Sequence, residues 1–215
     1  MDRVRLASSA GELEGLLEIP AGFTGLAGVV LCHPHPLYGG TMRHKVLARL
    51  SSTFAGLGAA VIRFNFRGVE QSEGSHDHGR GELDDAMAAM DYLAGTVSPR
   101  HLILGGFSFG AWVAARVAVT RREAAFCLSV GTPARMYDYR FLESLHLPTL
   151  FVQGDRDDFG SPAEIFALSQ LDPLFQLATV PGADHFFTGR LPALQEAVAG
   201  FFLPVLDQLG RLSGP

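Results

Sequence analysis

With 215 residues, 47% of them hydrophobic and 18% charged, the chain has the length and composition of one compact domain over residues 1–215, not of a disordered segment. A formal net charge of -5 without any Lys/Arg cluster argues against a nucleic-acid partner, and no apolar run is long enough to span a membrane. The N-terminal MDRVRLASSAGELEG carries Asp2, Glu12 and Glu14 and does not read as a signal peptide, and the two cysteines, Cys32 and Cys127, lie in apolar runs as buried free thiols do; a cytoplasmic protein is expected.

In chain order, Val4–Ser8 and Leu13–Ile19 flank a turn and predict an antiparallel hairpin. The wholly apolar Gly28–Cys32 suits a strand covered on both faces, and the loop HPHPLYGGT follows it. Val46, Leu47, Leu50, Phe54 and Leu57 recur at helical spacing, then Ala59–Phe66 predicts a strand leading into the polar loop RGVEQSEGSHDHGRG. Glu82, Asp84 and Asp85 sit in the first turn of the next helix, where its dipole favours them, with Leu83, Met87, Met90 and Leu93 as the buried stripe.

The stretch HLILGGFSFGAWVAAR then passes from an apolar strand through Gly106, Ser108 and Gly110 into a run of small apolar residues. G-x-S-x-G between a strand and a helix is the nucleophile elbow of serine hydrolases. A serine protruding from so tight a turn leaves no room for side chains two residues away, and the following helix turns its amides toward a developing oxyanion. In so glycine-rich a chain the motif arises by chance in about one sequence in six, so its context decides.

Further strands are expected at Ala124–Val130, Pro148–Gln153 and Phe175–Val180. Ser161, Pro162 and Glu164 form a capping-box helix start, and Leu194 to Leu209 form a long closing helix bent near Pro204. Alternating strands and helices predict an α/β fold with a mostly parallel sheet, helices on both faces and right-handed crossovers.

Ligands in such sheets bind at the carboxyl ends of the strands. The residues following each predicted strand include His33/His35, Arg67, Ser108, Gly131, Asp155/Asp157/Asp158 and His185. A serine needs a base, and the base needs a carboxylate; Ser108, an acid of GDRDD and His185 fall in the order that elbow enzymes use.

The pieces HPHPLYGGT, RFNFRG, GFSFGA, GDRDD and PGADHFF together resemble a small bacterial α/β-hydrolase of the dienelactone-hydrolase-like kind. The resemblance implies an eight-stranded α/β-hydrolase fold and a serine hydrolase acting on a small carboxylester, thioester or lactone, without a cofactor. The G-x-x-D pattern of that superfamily places the triad acid at Asp157, leaving Asp155 to tie its loop and Asp158 in reserve. The oxyanion donors map to the backbone amides of Phe109 and His35; between Pro34 and Pro36, His35 has the only amide. Two departures stand out. Glu70 replaces a glycine of the family's loop pattern, so that loop's shape does not carry over, and dienelactone hydrolases proper carry cysteine where Ser108 stands.

The segment GTPARMYDYRFLESLHL is too short for a separate lid domain, which predicts an open cleft walled by Leu37, Tyr38, Met136, Tyr137, Phe186 and Phe187. Two other readings stay open. The pairs His33/His35 and His76/His78 have the spacing of metal ligands for a metallohydrolase, and the fold also supports a non-catalytic binding protein. A monomer or homodimer is expected, with no membrane partner.

Overall fold

A computed structural model describes residues 1–212. Eight strands, β1 (Asp2–Ser8), β2 (Gly11–Glu18), β3 (Ala27–Cys32), β4 (Ala60–Phe64), β5 (His101–Phe107), β6 (Ala124–Val130), β7 (Thr149–Gly154) and β8 (Phe175–Val180), form one sheet in the order β1-β2-β4-β3-β5-β6-β7-β8. The hairpin β1–β2 joins β4 antiparallel at one end, and every other pairing is parallel. β2 alternates inward Leu13 and Leu17 with half-exposed neighbours, as a one-sided strand must, whereas β3 and β4 are buried at every position.

Five helices cover the sheet: α1 (Lys45–Gly56), α2 (Gly81–Val97), α3 (Phe109–Thr120), α4 (Pro162–Ser169) and α5 (Leu191–Leu212). On one face α1 and α5 bury Val46, Leu47, Leu50 and Phe54 against Leu194, Val198 and Phe202. On the other, α2, α3 and α4 bury Ala89, Met90, Val113, Val117 and Ile165. Each fully buried Val, Leu or Phe contributes roughly 1.5–3 kcal/mol, so these two layers hold the strands in register. At the start of α4 the capping box forms, Glu164 N–H donating to Ser161 Oγ and Ser161 N–H to Glu164 Oε2. α5 continues as one helix through Pro204.

α2 packs its expected stripe of Leu83, Met87, Met90 and Leu93 against the core, and its buried face is wider than that stripe. Ala86 and Ala89 are buried beside Met90 and Leu93, while Leu83 and Met87 are only half-buried. Glu82 and Asp85, near the helix start, are fully buried. Asp85 takes a bidentate pair from Arg67, at 3.0 Å from Nε and 2.8 Å from Nη2, together with the Arg67 backbone amide at 2.9 Å. Glu82 accepts from the amides of Asp77 and Gly79 and lies 2.8 Å from His76 Nδ1. Both carboxylates pin the loop after β4 onto α2. Desolvation offsets much of the attraction in such pairs, so their role is to fix the loop's path.

Glu70 adopts φ +49, the left-handed backbone a glycine takes without strain, and its carboxylate is held by Asn65 Nδ2 at 2.8 Å and by Arg43. Among the described residues no helix is long and apolar enough to cross a membrane.

Candidate active site

Ser108 stands alone between the end of β5 and the start of α3, with φ 56 and ψ -123, a sparsely populated conformation. The two flanking glycines make it possible. A Cβ on Gly106 would overlap the Gly110 carbonyl group, and one on Gly110 would overlap the carbonyls of Cys32 and His33. β5 lies between β3 and β6, Gly106 pairing with Cys32 on one side and Ser129 on the other, so Ser108 emerges at the middle of the carboxyl edge. Its own amide is taken by Val130 O at 2.9 Å.

His185 comes from the loop after β8 and Asp157 from the loop after β7. His185 Nε2 is 2.9 Å from Ser108 Oγ, and His185 Nδ1 is 2.8 Å from Asp157 Oδ2. Both residues are nearly buried. The imidazole is wedged among Phe159, Phe107 and Phe186, with ring centroids at 4.4, 5.0 and 5.2 Å, which restricts its rotation. The neighbouring acids have other partners. Asp155 Oδ1 accepts from Gly182 N–H, Asp184 Oδ1 accepts from Thr188 N–H, and Asp158 is exposed.

Across the serine, His33 and His35 divide their work. His33 is fully buried; its Nδ1–H donates to Pro34 O at 2.6 Å and its Nε2 accepts the Phe66 amide at 3.0 Å. Burial pushes its pKa down to about 3, and the two bonds fix the neutral tautomer. His33 is a brace between the loops after β3 and β4. The His35 ring lies 5.0 Å from that of Phe109, which begins α3 beside Ser108. Among the described residues neither the His35 amide nor the Phe109 amide donates to a protein acceptor.

The two histidine pairs meet at one point, the His35 and His76 rings lying 4.9 Å apart, but both His33 nitrogens, His35 Nδ1 and His76 Nδ1 are engaged elsewhere. His33 has no nitrogen left to ligate, and His35 Nδ1 accepts from Leu37 N–H at 3.2 Å. The rings of His76 and His78 lie 5.1 Å apart, with His76 turned to Glu82. Among the described residues no group of three or more His, Cys, Asp or Glu side chains is arranged to hold a metal ion.

Of the expected wall residues, Leu37, Tyr38, Met136 and Phe186 are exposed, Tyr38 by 82%. Tyr137 is half-buried, stacked on Trp112 at 4.8 Å and near Phe109. Phe187 is not a wall; it is fully buried in the core beneath the site, at φ +51. The segment between β6 and β7 holds only a 3-10 turn over Arg140–Ser144, so no lid covers the serine. Three nearby residues carried no motif in the sequence: Phe159, Gln153 and His44. The His44 ring stacks 5.0 Å from Phe107, and burial pushes its pKa down to about 4.

Residues 27–194 match the family model of the alpha/beta hydrolase domain. The chain belongs to the alpha/beta hydrolase family. It is 32% identical over 216 residues to an uncharacterized protein of Rickettsia prowazekii, covering 95% of this chain and 90% of that one. An α/β serine hydrolase without lid from Xanthomonas campestris superposes with a TM-score of 0.84 at 31% identity, over 93% of this chain and 92% of its own. An alpha-beta serine hydrolase homologue from Coxiella burnetii gives a TM-score of 0.82 at 36% identity, over 91% and 94%. As in other members of the alpha/beta hydrolase family, the parallel strands bring the residues that follow them to one edge of the sheet.

Proposed function

We propose that this alpha/beta hydrolase cleaves small ester-like substrates, a carboxylester, thioester or lactone, through an acyl-enzyme on Ser108. The observation that carries the reading is the continuous relay from Ser108 Oγ through His185 to Asp157, with links of 2.9 and 2.8 Å. In this reading Ser108 Oγ attacks the acyl carbonyl carbon and passes its proton to His185 Nε2. The carbonyl oxygen becomes an oxyanion facing the amides of His35 and Phe109. As the tetrahedral species collapses, the bond to the leaving group breaks and His185 gives that group the proton. Water then repeats the cycle on the acyl-enzyme, with His185 again as base. Asp157 keeps Nδ1 protonated and stabilises the imidazolium. The two buried free thiols, Cys32 and Cys127, support a reducing, cytoplasmic setting.

The lidless mouth with few apolar walls supports a preference for short acyl groups. A chain-length series of acyl esters is the test. Each added CH₂ that meets an apolar wall contributes up to about 0.8 kcal/mol, so kcat/KM should stop rising early in the series. A continued rise beyond about ten carbons would reveal a long acyl tunnel and overturn this preference.

The oxyanion assignment separates ring from backbone. His35→Ala keeps the amide and should retain much of the activity. His35→Pro removes the donor and should lower kcat about 10²–10³-fold. A loss in His35→Ala as deep as in His185→Ala would assign the ring itself to the chemistry.

A further inference from the structure

Beneath Asp157, near the end of β7 and following the apolar run Leu150–Val152, sits a fully buried amide, Gln153. Its Nε2 donates to Asp157 Oδ2 at 2.8 Å, the same oxygen that accepts from His185 Nδ1, and to Gly160 O at 2.8 Å. Its Oε1 accepts the Thr132 amide at 2.7 Å. These partners fix the amide's orientation. Reversed, it would set its oxygen against a carboxylate and a carbonyl and its NH₂ against an N–H. The remaining Asp157 oxygen, Oδ1, accepts from Phe159 N–H at 2.8 Å.

We propose that Gln153 is a positioning residue of the active site, holding the Asp157 carboxylate in line with His185 through a hydrogen bond and without adding charge. The inference rests on the relay reading above. A buried carboxylate is costly unless its lone pairs are satisfied. Three donors meet Asp157 here, from His185, Gln153 and the Phe159 amide, and the Gln153 side chain also accepts the Thr132 amide of the loop after β6. One side chain thereby ties the ends of β6 and β7 to the acid. A cationic donor in its place would compete with His185 for the carboxylate's charge; a neutral amide orients it and leaves that charge to the imidazolium.

Two substitutions test the inference. Gln153→Met keeps length and apolar packing but removes the donor. Its kcat should fall about ten- to hundredfold, the worth of a hydrogen bond to a charged group, with KM little changed. Gln153→Glu is nearly isosteric. While protonated, the introduced carboxyl can donate to Asp157 as the amide does; once ionised, it loses that donor and sets a like charge beside Asp157. The ratio of its kcat to wild type should therefore fall as pH rises.

The titratable groups facing this spot are Asp157 and His185, with Arg135 and Asp158 farther out, while Ser129 and Thr132 around it do not titrate. A folded Gln153→Met with wild-type kcat, or a Gln153→Glu ratio flat with pH, overturns the proposal. Should Gln153→Met fail to fold, the pH series on Gln153→Glu decides. Ser108→Ala separates the two levels. If that variant stays active, the relay reading fails. If it is inactive while both Gln153 variants behave as wild type, only the positioning role fails.

Discussion

Ser108→Ala is expected to abolish both turnover and covalent labelling by a fluorophosphonate while leaving the protein folded. Removing the nucleophile of such a relay lowers kcat on the order of 10⁶-fold, because the remaining groups do not replace a covalent path. The fold should be indifferent. Among the described residues Ser108 Oγ has one protein partner, His185 Nε2, and the elbow is held by the close backbone approaches at Gly106 and Gly110 and by the Ser108 amide. Alanine tolerates φ 56 no better and no worse than serine, so the melting temperature should shift by only a few degrees. Labelling that persists undiminished in the variant, with the adduct mapped to another residue, would sink the assignment. A wild-type protein that never labels and turns over no ester would favour a binding protein on this fold.

Much of this architecture is legible in local pattern. β8 has the bounds its composition predicts, Phe175–Val180, and the Ser161–Glu164 box starts α4 where its residues say it must. Both signals lie within a few residues of the structure they specify. The elbow is legible for the same reason, since Gly106 and Gly110 act on the turn that contains them.

What escapes the sequence depends on partners far along the chain. Glu82 and Asp85 look like ordinary acids at a helix start, because the dipole accounts for them there. Their burial follows from Arg67 and the 76–79 loop folding back over α2, which periodicity does not register. Ala86 and Ala89 are small enough to escape the stripe, so the buried face is wider than periodicity shows. His33 and His35 are two residues apart, and the flanking prolines mark His35 as the amide donor and leave His33 to brace the loop. What His33 braces is not legible, because its partner, the Phe66 amide, lies 33 residues along the chain. Gln153 ends an apolar strand without any motif, and Thr132, 21 residues earlier, completes its environment. Glu70 likewise takes φ +49 with its carboxylate bound by Asn65 and by Arg43, 27 residues earlier, which no local motif announces.

The acid assignment predicts a large and selective loss. Asp157→Asn should lower kcat on the order of 10⁴-fold, far more than Asp155→Asn or Asp158→Asn. Around Asp157 every contact comes from a donor: His185 Nδ1 and Gln153 Nε2 on Oδ2, and the Phe159 amide on Oδ1. An asparagine offers one acceptor oxygen and one NH₂. With its oxygen toward His185, the NH₂ opposes the Phe159 N–H and the imidazolium loses its counter-charge. With its oxygen toward Phe159, the NH₂ opposes Gln153 and favours the histidine tautomer protonated on Nε2, which cannot take the Ser108 proton. Neither orientation supports the relay.

Asp155 makes a simpler demand. Its Oδ1 accepts from Gly182 N–H, and an asparagine oxygen does the same, so activity should stay within a few-fold of wild type. Asp158 is exposed, its carbonyl accepting from Arg135 Nη1, and its side chain should be dispensable. Measuring kcat for the three variants at matched thermal stability decides among them. If Asp158→Asn proves the most damaged, the acid lies one residue beyond Asp157, and the 2.8 Å contact with His185 is not the working one.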